Sequence, residues 1–476
     1  MVLQTDYLVV GAGALGMGFV DTLLDGSDAD VVMLDRRHAA GGHWLDSYPF
    51  IQLHQPSMNY GVNSTPLGRD RIESGGRDAG FYERATGPEI CAYFDGVMRE
   101  RFLASGRVRF FPLSEHVGGG RFRSLLTGEE TDVEVRRSVV DATYMASRVP
   151  AVDPPPFEVA DGARCVPVGR LTKVEAPPAG YVIIGGGKTG MDAACWLLDR
   201  GTPPEAITWI RARDSWILNR ACFQPADGVV RTFEGVVAEL EAVVASDSVD
   251  EIFHRLDDSG VMLRLDPQVR PEFLRGATSS VGEVDQLRRV ENVVRLGKVR
   301  RIGTDEISLE GGTLPTSPDH LHVHCASAGL SDGPPEPIFG DRTITLQAVT
   351  RVSLSLSAGL AGVVEASGRP TAEKNRLCRP NPWPHTPFDW LRHLLTGIKN
   401  ELEWADAPDV AAWVDASRLN LVKGLPEAGD GATVADLQGR FLTAVFPALA
   451  RLDELALLAT PAERGRLYDP ALGATA

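Results

Sequence analysis

The hydrophobic pattern opens with a short run, Tyr7-Leu8-Val9-Val10, that leads straight into glycines. The run reads as a strand. Residues 17–24 then place apolar side chains at helical spacing, and Val31–Leu34 is a second apolar run, ending in Asp35. Strand, glycine turn, helix and strand in this order predict a βαβ unit. The pattern recurs further on. Tyr181-Val182-Ile183-Ile184 leads into a second glycine cluster, and the next strand, residues 206–210, ends at Arg211.

Between the two units, residues 87–103 predict a helix with Ile90, Tyr93, Phe94, Val97 and Phe102 inward. Short alternating strands follow, ending in Val139-Val140-Asp141-Ala142-Thr143-Tyr144. Pro154-Pro155-Pro156 and Pro177-Pro178 mark a linker. Residues 229–257 read as an amphipathic helical insertion, and strands return near 292–325. A proline-rich stretch, 378–387, precedes two helical stripes: Trp390, Leu391, Leu394, Leu395, Ile398 and Leu402, then Leu437, Phe441, Leu442, Val445, Leu449 and Leu452. The stripes predict core or a dimer face, with a lid over the site as the alternative.

The glycines carry the chemistry. GAGALG (Gly11, Gly13, Gly16) and GGGKTG (Gly185, Gly187, Gly190) each follow a strand and open a helix. The first glycine allows the turn, the second lets backbone approach a pyrophosphate, and the third packs helix on strand. The phosphates then meet the positive end of the helix. Two such turns predict two dinucleotides. Asp35, with Arg36 after it, is placed for the adenosine ribose of the first. Arg211 and Arg213 suit a 2′-phosphate on the second and point to NADPH, the alternative being a surface arginine pair. Lys188 adds charge, and Thr189 a hydroxyl, at the second phosphate turn; a merely exposed Lys188 is the other reading.

Composition and charge narrow this. A net charge of −16 argues against nucleic acid or an anionic membrane as partner. No apolar run reaches the length of a membrane span, and no basic stretch precedes the first apolar segment, so the expected location is the cytoplasm. The six cysteines form no CxxC or CxxxxC pair, so no redox dithiol or zinc ribbon is expected. His320, His322 and His324 alternate along a predicted strand and would share one face. That geometry can bind zinc or iron, but a polar strand face, or a histidine beside a bound cofactor, explains it more simply, and no metal is expected.

Across residues 5–350 the chain resembles the class B flavoprotein monooxygenases: flavin-containing monooxygenases, Baeyer–Villiger enzymes and N-hydroxylases. GAGALG, Asp35 and the Gly41-Gly42-His43-Trp44 turn match the family's FAD unit, and GGGKTGMD its NADPH fingerprint. DATY (141–144) and ASAG (326–329) fall where the family crosses between domains. The resemblance implies an α/β fold of two dinucleotide-binding, Rossmann-like domains, the NADPH domain inserted in the FAD domain. FAD parts are then expected at 1–155 and 326–380, and the NADPH domain at 176–325 with its helical insertion near 220–290. The helical C-terminal region would be 381–476.

It also implies FAD held through the cycle, NADPH as reductant, and oxygen passed to a small molecule (an amine, thioether or ketone of specialised metabolism) through a C4a-hydroperoxyflavin. Asn63, in Val62-Asn63-Ser64-Thr65, resembles the family's asparagine near the flavin, the alternative being a turn asparagine. Gly42, His43 and Trp44 would lie beside the flavin, and His54 and Gln55 would bond its edge or the pyrophosphate. One fingerprint is missing: no histidine lies between His116 and His254, where FxGxxxHxxx(Tyr/Trp) belongs. Two other readings therefore stand beside the monooxygenase: an FAD-dependent dehydrogenase or reductase without oxygen transfer, and a non-catalytic nucleotide-binding protein.

Overall fold

In the computed structural model, residues 2–147, 149–327, 329 and 333–457 are described. Two parallel sheets organise the chain. The first contains β1 (Leu3–Val10), β2 (Val31–Leu34), β3 (Val108–Phe111) and β4 (Glu130–Asp141). Much later in the chain it gains Thr343–Thr345, giving the order β3-β2-β1-β4 and then this last strand. The N-terminal half of β4 also pairs antiparallel with a hairpin, Ser114–Gly118 and Arg121–Ser124, which covers one face of the sheet.

The other face carries α1 (Ala14–Gly26), with Phe19, Val20 and Leu23 fully buried. It packs tightly on Leu354–Ala366, because glycines meet at the crossing. Thr22 Oγ1 donates to Gly359 O at 2.8 Å, and a Cβ on Gly362 would stand 2.2 Å from that hydroxyl. The returning segment is thus keyed to the first helix.

The second sheet is built from β5 (Cys165–Pro167), β6 (Gly180–Ile184), β7 (Ile207–Ile210), β8 (Val293–Val294) and β9 (His320–His324). All five run parallel in the order β8-β7-β6-β9-β5. α2 (Lys188–Asp199) covers one face, against Leu321, Val323 and Cys325. Val182, Ile184 and Ile210 face a small antiparallel sheet that includes Val299–Ile302 and Glu306–Leu309. The chain enters this unit from the first sheet and returns to the first sheet at Thr343–Thr345. This is the α/β architecture of two Rossmann-like units, one inserted in the other, with helices at the C-terminal end.

The predicted 87–103 helix is α-helical over Gly87–Val97 and continues as a wider turn, Met98–Phe102. The insertion helices Val229–Val244 and Val249–Asp258 share one core with the C-terminal helices Pro387–Ala405 and Gly431–Leu457. Phe253 and Trp390 meet edge to face at 5.4 Å. Most of both stripes lies inward, as core. Leu402 and Leu442 are exceptions: they are exposed, because each stripe is wider than the face its helix buries. Among the described residues, no helix is long and apolar enough to cross a membrane.

Candidate active site

Each glycine turn sits where a parallel strand gives way to a helix. Gly11 has φ +103° and Gly185 φ +132°, a region that disfavours side chains. A Cβ on Gly16 would stand 2.0 Å from Gly11 O, and one on Gly190 2.1 Å from Gly185 O. The helix therefore rests directly on the turn in both units. Nothing lies within 4 Å of where a Cβ on Gly187 would be, so that backbone is open to a ligand. Gly13 is closer to its neighbour: its Cβ would meet Gly42 Cα at 3.4 Å.

That neighbour is the second loop of the first site. Gly41 N–H donates to Ala12 O at 2.9 Å, and Gly41 and Gly42 both have positive φ. Asp35, buried at the end of β2, accepts from Ala12 N–H and Arg37 N–H, each at 2.8 Å. Each carboxylate oxygen keeps capacity to accept from a further donor. Arg36 is exposed, 4.0 Å from Glu115. His43 and Trp44 lie ring to ring at 4.9 Å, and the Trp44 indole donates to the Tyr60 hydroxyl at 2.7 Å. Burial, helped by Arg37, pushes His43 down to about 4, so it is neutral at pH 7.

In the second site Lys188 is buried, not exposed. Its ammonium pairs with Asp192 and, at 2.6 Å, with Glu283 of the helix Val281–Arg288. Fully buried Arg220 bonds Glu283 at 2.8 Å and also reaches Asp78. Arg84 pairs with Asp78 at 2.7 Å, and the Tyr48 hydroxyl donates to Asp192. Three cations and three carboxylates thus balance in a buried network across the two units. Burial disfavours ionised Glu283, but Lys188 and Arg220 outweigh it and hold the carboxyl far below its usual range. Thr189 stays half-buried in the turn.

The two arginines separate. Arg211 is buried, stacks on Trp209 and pairs with Asp214 at 3.3 Å. Asp214 also takes Arg295 at 2.7 Å. Arg213 is exposed, its guanidinium 3.5 Å from the centre of the Phe273 ring. Both adjoin the second turn: a Cβ on Gly186 would stand 3.2 Å from Arg213 O and 3.5 Å from Arg211 Cβ.

Asn63 lies elsewhere. Its amide oxygen accepts from Ser417 Oγ at 2.8 Å, beside Arg418, which donates to the carbonyls of Met58, Tyr60, Val62 and Thr65. His54 and Gln55 sit earlier in the same loop, where the two units meet. The His54 carbonyl accepts from Arg220 Nε at 2.9 Å and from Thr278 Oγ1. Arg220, Glu283 and Arg418 went unread in the sequence; isolated charges far apart in the chain give no signal.

The crossing segments touch the turns. A Cβ on Gly11 would meet Thr143 Cγ2 at 3.0 Å, and one on Gly185 would meet Cys325 O at 2.8 Å. Along β9, His322 bonds Thr316 Oγ1 at 2.8 Å and Arg164 O at 3.0 Å; His320 bonds the same threonine at 3.1 Å. His324 stands edge-on to Phe157. Among the described residues, no three His, Cys, Asp or Glu side chains are grouped to hold a metal.

No family model matches the sequence. A protein of Mycobacterium tuberculosis, Rv2000, is 45% identical over 424 residues, 89% of this chain and 79% of its own. The chain belongs to that protein's family. A Mycobacterium bovis protein, Mb2023, matches at the same identity and coverage. Both relatives carry the description uncharacterized. Among solved structures, a flavin-containing monooxygenase from Stenotrophomonas maltophilia is similar over 77% of this chain and 99% of its own, with 16% identity and TM-score 0.44. OTEMO in complex with FAD and NADP gives TM-score 0.48 at 12% identity, over 77% and 85% of the two chains. A bacillithiol disulfide reductase from Staphylococcus aureus gives 0.45 at 10%, over 77% and 98%.

Proposed function

We propose that this chain is an FAD- and NADPH-dependent oxidoreductase, and within that class a monooxygenase of a small molecule. The observation that carries the reading is the matched pair of turns. In both, a positive-φ glycine ends the strand and a third glycine seats the helix within reach of the first glycine's carbonyl. That geometry brings unblocked backbone N–H groups to a pyrophosphate at a helix N-terminus.

The residues present fit the two groups. FAD would lie on Gly11–Gly16, with Asp35 at its ribose and the Gly42–Trp44 turn closing over the phosphates. NADPH would lie on Gly185–Gly190 with Thr189, its 2′-phosphate on Arg213. Lys188 fixes the helix start by its pairs to Asp192 and Glu283, and Arg211 braces the same edge through Asp214. A bound flavin would supply the redox chemistry, two-electron transfer between the nicotinamide and oxygen or an organic acceptor. The chain itself orients both cofactors, keeps His43 neutral, and presents the Asn63 amide nitrogen, which bonds no described residue, as a donor that does not titrate.

The test is direct. Purified protein should be yellow, with one FAD per chain, and NADPH should bleach it without oxygen. Admitting oxygen with substrate should yield an oxygenated product. Colourless protein that binds no FAD overturns the whole reading. Bleaching followed by transfer only to an organic acceptor leaves the dehydrogenase in its place.

A further inference from the structure

The His54 ring has no role in the fold that explains its position. It is half-buried at the junction of the two units, and its ring nitrogens bond no described residue. Its backbone, by contrast, is fastened to the second unit, through Arg220 Nε at 2.9 Å, and through Thr278. So a residue of the first unit's loop is held in register with the second unit, whose phosphate turn supplies the nearby Lys188. A ring fixed at its backbone and free at its tip is placed to meet a ligand spanning both units.

The chemistry of the tip narrows the ligand. Burial, and then the cations of Lys188, Arg220 and Arg84, push His54 down to about 3, with Glu283 opposing them. The imidazole is neutral across the working range and offers one donor and one acceptor. A carboxamide offers the complementary pair. We propose that His54 is a catalytic residue of the reductive step, binding the nicotinamide carboxamide of the dinucleotide on the second turn and so holding its ring toward the first. This rests on the two-dinucleotide reading above.

The test compares two probes on the FAD-loaded protein. NADP carries the carboxamide; 2′,5′-ADP carries the same adenosine and 2′-phosphate without it. In His54→Ala, NADP binding should weaken by about three- to tenfold, the range of a hydrogen bond. Affinity for 2′,5′-ADP should stay at the wild-type value, and anaerobic bleaching by NADPH should slow at least as much. His54→Asn, which keeps a donor and an acceptor, should recover part of both. Because the imidazole is already neutral, the wild-type bleaching rate should show no histidine titration between about pH 5 and 8. Equal loss of both probes, or unchanged bleaching in His54→Ala, overturns the proposal. Failure of the wild type to bind NADP or bleach strikes instead at the two-dinucleotide reading and is seen before any variant is compared.

Discussion

Lys188 Nζ lies 2.6 Å from Glu283 Oε1, joining the second glycine turn to a helix almost a hundred residues further on. The Glu283 side chain keeps 2% of its exposure and the Lys188 side chain 8%. Arg220 and Asp78 extend the link to the first unit.

Removing one partner should therefore be costly. Glu283→Gln leaves Lys188 and Arg220 short of a counter-charge and should lower stability by about 3–5 kcal/mol. The pH dependence has a definite sign. A carboxyl held low in the fold contributes its full stabilisation above its unfolded value, near 4.3, and loses it as pH falls toward the folded value. Urea midpoints should drop for the wild type below about pH 4 and much less for Glu283→Gln. Parallel acid limbs in the two proteins would show that Glu283 is not the group responsible.

Gly187→Val tests the ligand without testing the fold. No atom stands within 4 Å of the added Cβ. The variant should keep its melting temperature and its FAD, and lose NADPH. Gly190→Ala should behave in the opposite way, since its Cβ would clash with Gly185 O at 2.1 Å. Soluble, fully stable Gly190→Ala would contradict the packing described.

Arg213→Ala should weaken NADPH by about ten- to a hundredfold, as expected for a lost charge-assisted bond, and leave NADH nearly unchanged. Arg211→Ala should act on stability instead, because Asp214 loses one of its two arginines. Equal loss of the two nucleotides in Arg213→Ala would remove the 2′-phosphate assignment.

The histidine strand and the glycine turns were legible in the sequence because their requirements are local. A turn needs its glycines in a fixed spacing, and alternation puts His320, His322 and His324 on one face. The separation of Arg211 from Arg213 was not legible. Two arginines two positions apart look alike in a sequence, and only the placement of Trp209, Asp214 and Phe273 gives one buried partners and leaves the other exposed over a half-buried ring. The same holds for Lys188, whose partner Glu283 comes from a distant helix. The C-terminal stripes showed burial but not their companion, since apolar periodicity does not say which core will receive it.

Asn63→Ala should leave FAD bound and bleaching by NADPH intact. Losing one hydrogen bond to an oxygen-derived group should cost ~1–4 kcal/mol at that step. The reading is the ratio of hydrogen peroxide released to NADPH consumed, which should rise. Ser417→Ala should follow in the same direction and less strongly, since it frees the amide that its hydroxyl now orients. An unchanged ratio in Asn63→Ala would return this residue to the role of a turn asparagine.

Thr143 and Cys325 have a mechanical meaning as well. Each belongs to a stretch that follows a sheet strand, and each occupies the space a side chain on the first glycine of its own unit's turn would need. The segments that join the two units therefore run directly beside the two glycine turns. A bulkier side chain at either position would crowd the adjoining glycine turn, so the joints and the turns constrain each other's sequence.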